Sequence, residues 1–198
     1  KLLAPWGATT VIEAALSNVR PAGFDEVILV TGNVDLSGAL DRSSDELPLR
    51  VVNNPDAGLG QATSIRCGLA AAEQAGHDVA VIGLGDQPAV TPAIWRAVAE
   101  TDAPIAVARY REGWRPPVRL ERSVWDLLPT TGDVGARSLV EARPDLVVEV
   151  PVVGDPRDVD RVDDLLTPAD LAYVRECLGR PPRCAFTIAA RDEGGLPT

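Results

Sequence analysis

The sequence predicts an α/β protein: one domain with a mainly parallel sheet and helices on both faces. Its 198 residues suffice for one well-buried domain and are few for two. Strand-like and helix-like segments alternate over most of the length, which is typical of parallel sheets with crossover helices. The apolar run 79–84 ends in Gly85 and Asp86, as expected for a buried strand whose carboxyl end presents a side chain to a ligand.

The first half of the chain shows this alternation most clearly. Apolar residues at helical spacing predict a helix over 10–20, which Pro21 and Gly23 terminate. Thr91 and Pro92 suit the N-cap and first turn of a later helix. The remaining elements predicted here are strands at 25–31, 49–53, 79–84 and 105–108 and a helix at 61–75.

The second half is less regular. Two adjacent prolines favour a loop over 109–117, and the segments that follow predict short helices at 123–128 and 135–142 and a strand at 146–153. A last helix is expected over 168–178, which would close a domain spanning 1–178. Residues 179–198 have no period and are interpreted as an extension of unknown role.

Composition excludes several classes of function. A net charge of −10 argues against affinity for nucleic acid, because binding many backbone phosphates needs clustered lysine and arginine. The three cysteines have no CxxC spacing and the single histidine, His77, falls in a predicted turn, so a zinc site or a hydrolase triad is not indicated. No apolar run approaches ~20 residues and no signal peptide is visible, which predicts no membrane span and a cytoplasmic location.

Acidic residues offer the first candidate site. Asp86 follows one predicted strand, and the carboxylate-rich loop 155–160, which ends in Asp160, follows another. Two carboxylates that converge from different strand ends are what Mg²⁺ requires when it also holds phosphate oxygens. A solvated acidic loop is the alternative, and composition alone favours it.

Two further segments have the spacing of ligand-binding turns. In 53–66, a strand leads through a glycine-containing turn to a helix start, placing Asn54, Gly60, Thr63 and Ser64 where backbone amides and hydroxyls suit an anion or the edge of a base. Helix capping alone is the competing interpretation. In 131–137, Arg137 follows a Gly-Asp-Val-Gly turn, and its guanidinium suits a phosphate or carboxylate. The competing interpretation is that Asp133 caps a helix and Arg137 forms an ion pair on the surface. Spacing alone favours this second interpretation.

Taken in order, these segments resemble the MobA-like NTP transferase superfamily, most closely its molybdenum cofactor cytidylyltransferase branch. The resemblance covers about residues 1–171, and five segments carry it: KLLAPWG at 1–7, NNPDAGLGQATSIRCGL at 53–69, GDQPAVTP at 85–92, GDVGAR at 132–137 and DVDRVDDL at 158–165. Each is moderately specific, but their shared order and spacing make a strong match.

The resemblance implies a single Rossmann-like, GT-A-type domain and a set of residue roles. Asp86 and Asp160 correspond to catalytic residues that hold Mg²⁺, and Lys1 to a catalytic lysine that binds the nucleotide phosphates. Two further groups are implied: Asn54, Gly60, Thr63, Ser64 and Gly85 for the nucleotide, and Gln87, Asp133 and Arg137 for the acceptor.

The sequence departs from the family pattern in two places. Relatives carry a glycine-rich phosphate-binding loop that ends in the lysine matching Lys1, so we expect those residues to precede Lys1 in the natural protein. Many relatives have Gly-His-Pro-Val where residues 115–118 read RPPV, and a few residues are expected to be missing at this loop. This second departure bears on acceptor specificity.

The function implied by the resemblance is Mg²⁺-dependent transfer of CMP from CTP to a molybdopterin-type acceptor, with release of pyrophosphate. A molybdoenzyme is the implied recipient of the product. Two alternatives stay open: a related transferase that uses GTP or another phosphorylated acceptor, and a non-catalytic module that binds and delivers a cofactor.

Overall fold

The computed structural model describes residues 1–32, 36, 48–160 and 164. The expected helix at 168–178 and the extension at 179–198 lie outside the described residues. The strands are β1 (Pro5–Trp6), β2 (Thr9–Thr10), β3 (Val27–Thr31), β4 (Leu49–Asn53), β5 (Val79–Ile82), β6 (Ile105–Tyr110), β7 (Gly113–Glu121) and β8 (Val147–Pro151). The helices are α1 (Val11–Val19), α2 (Gln61–Gln74), α3 (Pro92–Ala99) and α4 (Arg137–Ala142). Short 3₁₀ turns lie at Arg20–Ala22, Ala57–Leu59, Arg122–Leu127 and Pro144–Leu146.

Local sequence signals explain where the first helix begins and ends. Thr10 caps α1 through a reciprocal pair of hydrogen bonds with Glu13, which satisfies amide groups that the first turn would leave unpaired. The helix gives way to a 3₁₀ turn at Pro21, and Gly23 then reverses the chain at a φ of 91°. Across the described ranges, we find no helix with the length and apolar character needed to span a bilayer.

The α/β class is confirmed, and the strand pairing is mixed rather than purely parallel. β3 and β4 pair in parallel, and β6 and β8 pair in parallel. β7 lies between β5 and β6 and runs antiparallel to both. The described order is β5-β7-β6-β8 in one sheet and β3-β4 in another, with β1 and β2 as a small separate hairpin.

The antiparallel strand arises from the segment predicted as a loop, and that prediction was wrong. Residues 109–117 contain the end of β6, a turn at Arg111 and Glu112, and the start of β7. The pairing register shifts between Val107, opposite Val118, and Ala108, opposite Arg115. Pro116 and Pro117 therefore occupy a bulge, where a residue without an amide hydrogen removes no ladder bond.

Helices cover both faces of the strands, as predicted. One core cluster joins Ile65 and Leu69 of α2 to alternate strand residues such as Ile28 and Ile82. The opposite face packs Trp95 of α3 against Val81, and Ile12 and Leu16 of α1 against Val27 and Leu29. Because successive strand residues point to opposite faces, this alternation places α2 on one side and α1 and α3 on the other.

Candidate functional site

Asp86 is deeply buried, with 1% of its surface exposed, and no other acidic residue that the structure describes is as buried. It follows Gly85 shortly after β5, at the position that the sequence predicted. A Cβ at Gly85 would stand 2.9 Å from Cδ1 of Ile12, so a side chain there would require the end of the Ile12 side chain to move. Ile12 of α1 therefore packs close to the turn that leads to Asp86.

The ammonium of Lys1 joins the two predicted metal ligands. Its Nζ lies 2.9 Å from Oδ2 of Asp86 and 2.5 Å from Oδ1 of Asp160. Lys1 is the only lysine in the sequence, and its side chain is only 6% exposed, whereas that of Asp160 is 48% exposed. The predicted convergence of two carboxylates distant in the chain is therefore present, with a compact positive charge between them.

Burial shifts the pKa of both Asp86 and Lys1. Removal from water raises the pKa of Asp86 above that of an ordinary aspartate; Lys1 opposes this shift and Asp158 adds to it. Burial pulls the pKa of Lys1 down, but the charges and hydrogen bonds of Asp86 and Asp160 outweigh it, so the pKa is raised. One ammonium shared by two acids thus offsets only part of the cost of burying Asp86.

Main-chain and side-chain bonds fasten the acidic loop beside Asp86. The amide of Val159 donates to the backbone oxygen of Asp86 at 2.9 Å. Buried Gln87 donates through Nε2 to the carbonyl of Pro156 at 2.8 Å and to Oδ1 of Asp158 at 2.7 Å. Sequence reasoning missed Val159, because a backbone hydrogen bond leaves no mark on residue type, and it named Asp158 only as part of the acidic loop.

The residues at this position fit a divalent cation. Oδ1 of Asp86 is buried and has no hydrogen-bond partner among the described residues, although carboxylate oxygens are strong acceptors. No group of three or more histidine, cysteine or acidic side chains suited to a metal occurs in the described part of the chain. Mg²⁺ is commonly held by one or two carboxylates together with substrate phosphates and water, so the Asp86 and Asp160 pair meets its need.

On the side of the predicted nucleotide-binding segment, Asn54 organises a turn. Its Nδ2 lies 2.9 Å from the hydroxyl oxygen of Thr63 and 3.0 Å from that of Ser64, and its Oδ1 accepts from the amide of Asp56. The amide of Thr63 bonds to the carbonyl of Gly60. The structure thus brings Asn54, Gly60, Thr63 and Ser64 together, with the Asn54 amide already hydrogen-bonded on both its nitrogen and its oxygen.

The same turn contacts the second glycine-containing segment. Gly132 donates to the carbonyl of Leu59 at 3.0 Å and accepts from the amide of Ala62 at 2.9 Å. Gly60 has a φ of 107°, and a Cβ there would lie 2.5 Å from the carbonyl carbon of Gly132 and 2.8 Å from Oδ1 of Asp133. Gly60 is therefore required by its backbone conformation and by this close approach.

The three residues predicted to bind the acceptor substrate contact different parts of the protein. Gln87 holds the acidic loop, and Asp133 lies against Gly60. Arg137 is largely exposed, donates to Glu141 at 2.9 Å, and places its guanidinium 5.7 Å from the ring centre of Trp114. The surface ion pair weighed for Arg137 is present, whereas a cap at Asp133 is not, because α4 begins at Arg137 after Ala136.

A comparison with protein-family models matches residues 1–147 to the MobA-like NTP transferase domain. The chain belongs to the MobA-like NTP transferase family. This membership agrees with the resemblance drawn from five ordered segments, and Asp86 lies buried after β5 beside the ammonium of Lys1. A comparison with curated proteins found no match to this chain.

Solved structures similar to this MobA-like NTP transferase include bacterial and archaeal proteins. Rv0371c from Mycobacterium tuberculosis is 35% identical, with a TM-score of 0.68, over 83% of this chain and 85% of that one. A manganese complex of Rv0371c has a TM-score of 0.67 at 35% identity, over 83% and 88%. A nucleotidyl transferase from Methanothermobacter thermautotrophicus is 26% identical, with a TM-score of 0.63, over 92% and 86%.

Proposed function

We propose that this nucleotidyltransferase moves CMP from CTP to the terminal phosphate of a molybdopterin-type acceptor, with Mg²⁺ held by Asp86 and Asp160. Membership of the MobA-like NTP transferase family supports nucleotide triphosphate as a substrate. The choice of CTP and of a molybdopterin-type acceptor rests on the sequence resemblance to the cytidylyltransferase branch. A molybdoenzyme as recipient and a cytoplasmic location stay predictions.

The observation that carries the proposal is the position of the Lys1 ammonium between the carboxylates of Asp86 and Asp160. A cation site needs converging oxygens, and here a protein cation contacts oxygens of both residues. The manganese complex of Rv0371c supports a divalent metal in this group of proteins. Mg²⁺ as the physiological ion is part of the proposal.

In the proposed reaction, an oxygen of the acceptor phosphate attacks the α-phosphorus of CTP. The bond from that phosphorus to the bridging oxygen of the β-phosphate breaks, and pyrophosphate leaves with the electron pair. When bound, the metal offsets the negative charge of the phosphate oxygens. No covalent intermediate with the protein is needed, so the chain acts by placing two anions in line and by supplying positive charge.

Each site residue has a part in this scheme. Asp86 and Asp160 hold the metal, and Gln87 keeps the acidic loop in place through the carbonyl of Pro156. Lys1 binds a phosphate oxygen of the nucleotide, because a compact ammonium is a suitable point charge for phosphate. The turn that Asn54 organises receives the nucleotide at the start of α2.

Pyrophosphate release tests the proposal. The protein is incubated with each of the four nucleoside triphosphates, purified molybdopterin cofactor, and Mg²⁺ or Mn²⁺, and product is followed by mass spectrometry. We expect turnover with CTP that requires both metal and acceptor. Turnover only with GTP would contradict the transfer of CMP, and turnover only with another phosphorylated acceptor would contradict the molybdopterin-type acceptor. Either result leaves nucleotidyl transfer intact.

Matched variants locate the chemistry. Asp160→Asn removes a proposed ligand and should lower kcat/KM at least about 10²-fold. Asp155→Asn is the control, because it removes a charge from the same loop, where Asp155 pairs with Arg157 rather than Lys1. Equal activity of the two variants would show that the metal is held elsewhere. Tight binding of the molybdopterin cofactor without turnover of any nucleotide would favour the alternative that this protein binds and delivers a cofactor without catalysis.

A further inference from the structure

The hairpin that joins β6 to β7 is rich in arginine, although the chain as a whole has a net charge of −10. Residues 109–115, which we call the basic hairpin, contain Arg109, Arg111 and Arg115, and Glu112 is the one acidic residue among them. An acidic protein that binds anionic substrates needs a local group of cations, because its overall charge repels them.

The basic hairpin lies at the same end of the sheet as Asp86. β7 runs antiparallel to both β5 and β6, so β5 and β6 run in the same direction and end at the same edge. Ile82, the last residue of β5, lies opposite Val118. Residues 113–117 of β7 therefore extend past the end of β5, at the edge of the sheet where Asp86 follows that strand.

The strand order places the basic hairpin and the proposed nucleotide-binding turn on opposite sides of β5. β7 bonds to one edge of β5, whereas the β3 and β4 pair, whose residues line a common cavity with β5, lies beyond the other edge. Asn54 directly follows β4. With the nucleotide on the Asn54 side, the acceptor phosphate approaches Asp86 from the side of the basic hairpin.

Arg115 lies on the face of the sheet from which the acidic loop departs. It is directly opposite Ala108, and residues directly opposite each other share a face. Ala108 and Tyr110 belong to the core cluster on which Val152 packs, shortly before the acidic loop begins. The hydroxyl of Tyr110 donates to the carbonyl of Pro116 at 3.2 Å, so the backbone next to Arg115 is fastened.

The three arginines of the basic hairpin differ in their partners. Arg109 and Arg111 each pair with a glutamate, at nitrogen–oxygen distances of 3.5 and 3.2 Å. Arg115 is exposed and forms no ion pair with any carboxylate in the described part of the chain; one of its terminal nitrogens donates to the carbonyl of Trp114 at 3.2 Å. A guanidinium has five N–H groups, so most donors of Arg115 are available to an anion.

We propose that Arg115 binds the phosphate group of the acceptor and selects a phosphorylated acceptor over its phosphate-free form, an inference that rests on the proposed function. A planar guanidinium donates two parallel hydrogen bonds to one phosphate, and a phosphate-free compound cannot accept them. The positive charge also offsets part of the repulsion between the acceptor phosphate and the nucleotide triphosphate, two anions that the reaction brings together.

Binding without nucleotide tests Arg115 directly. The full chain is titrated in a calorimeter with purified molybdopterin, and with the same compound after phosphatase treatment. Arg115→Gln removes the charge, and Arg111→Gln is the matched control, because it removes the same charge from a side chain of the same hairpin that is 94% exposed. We expect Arg115→Gln alone to weaken binding of the phosphorylated form at least about tenfold, with binding of the phosphate-free form unchanged.

Rescue and kinetics separate phosphate binding from a structural role of Arg115. Arg115→Lys restores the charge without the paired hydrogen bonds, so it should recover only part of the affinity. In turnover assays, kcat/KM for the acceptor should fall in Arg115→Gln, whereas KM for CTP and the affinity for Mn²⁺ should stay unchanged. If the chain uses another phosphorylated acceptor, the same variants are compared with that compound and its phosphate-free form.

The outcomes distinguish this inference from the function on which it rests. Normal turnover by the unmodified chain, with no greater loss of acceptor affinity in Arg115→Gln than in Arg111→Gln, would overturn the role of Arg115 and leave the proposed function standing. Equal losses for the phosphorylated and phosphate-free forms would also overturn it. An unmodified chain that binds no phosphorylated acceptor and turns over no nucleotide would refute the proposed function, and this inference with it.

Discussion

Replacing Lys1 by methionine tests the electrostatics of the site most directly. The substitution keeps the length and apolar stem of the side chain but removes the charge that lies 2.9 Å from Asp86. Asp86 then remains 1% exposed with a carboxylate that has lost its ion pair to Lys1. Removing one member of a buried ion pair typically costs about 3–5 kcal/mol, because the other charge stays away from water.

Urea unfolding at pH 8 measures this cost. With a dependence of about 2–3 kcal/mol per molar urea, the midpoint of Lys1→Met should fall by roughly 1–2.5 M. The double variant Lys1→Met/Asp86→Asn is the control, since it removes the charge on both sides and should recover most of the loss. Mn²⁺ should stabilise Lys1→Met more than the unmodified chain, because the ion replaces the missing positive charge.

The pH dependence of this loss has a definite sign. The pKa of Asp86 is already raised by burial, and removal of Lys1 raises it further. Between the unfolded value of 3.8 and the raised folded value, the folded state binds more protons, so stability falls as the pH rises through that window. The deficit of Lys1→Met should therefore shrink on acidification. An unchanged midpoint at pH 8, or a double variant no more stable than the single one, would refute the reasoning.

Three further outcomes are expected. Gln87→Leu should weaken Mn²⁺ binding in a calorimetric titration and lower the free energy of unfolding by about 1–3 kcal/mol, because the carbonyl of Pro156 loses its hydrogen bond from the buried Gln87 amide. Unchanged Mn²⁺ affinity would show that the acidic loop is held by its backbone alone. Gly60→Ala should lower the thermal midpoint more than Gly76→Ala, since both have positive φ but only Gly60 meets neighbouring backbone; equal losses would contradict the close approach. An ultraviolet titration should show one tyrosine with a pKa of about 12, because burial and nearby Asp155 raise it, and Tyr110→Phe should abolish that phase.

Elements with local signals were predicted well from the sequence. The helix at 10–20 is α1 with its Thr10 cap, and the strand at 49–53 has the predicted bounds. The segment 109–117 was mistaken for a loop because adjacent prolines usually interrupt strands. Their place in a bulge depends on the register between β6 and β7, and that register is a property of two strands together.

The candidate site likewise contains residues that the sequence predicted and contacts that it did not predict. Residue type and position after a strand were enough to select Asp86, and the resemblance added Lys1 and Asp160. The different contacts of Gln87, Asp133 and Arg137 were not predictable, because they depend on how distant segments pack together.

The family, the alternation of strands and helices, and the acid at the end of β5 could be predicted from the amino-acid sequence, because they follow from residue identity and short-range spacing. The antiparallel direction of β7 and the position of Lys1 between Asp86 and Asp160 became visible only in the folded chain. These features arise from hydrogen bonds and charges between residues far apart in the chain. Their energies depend on distance and burial, which the order of residues does not specify.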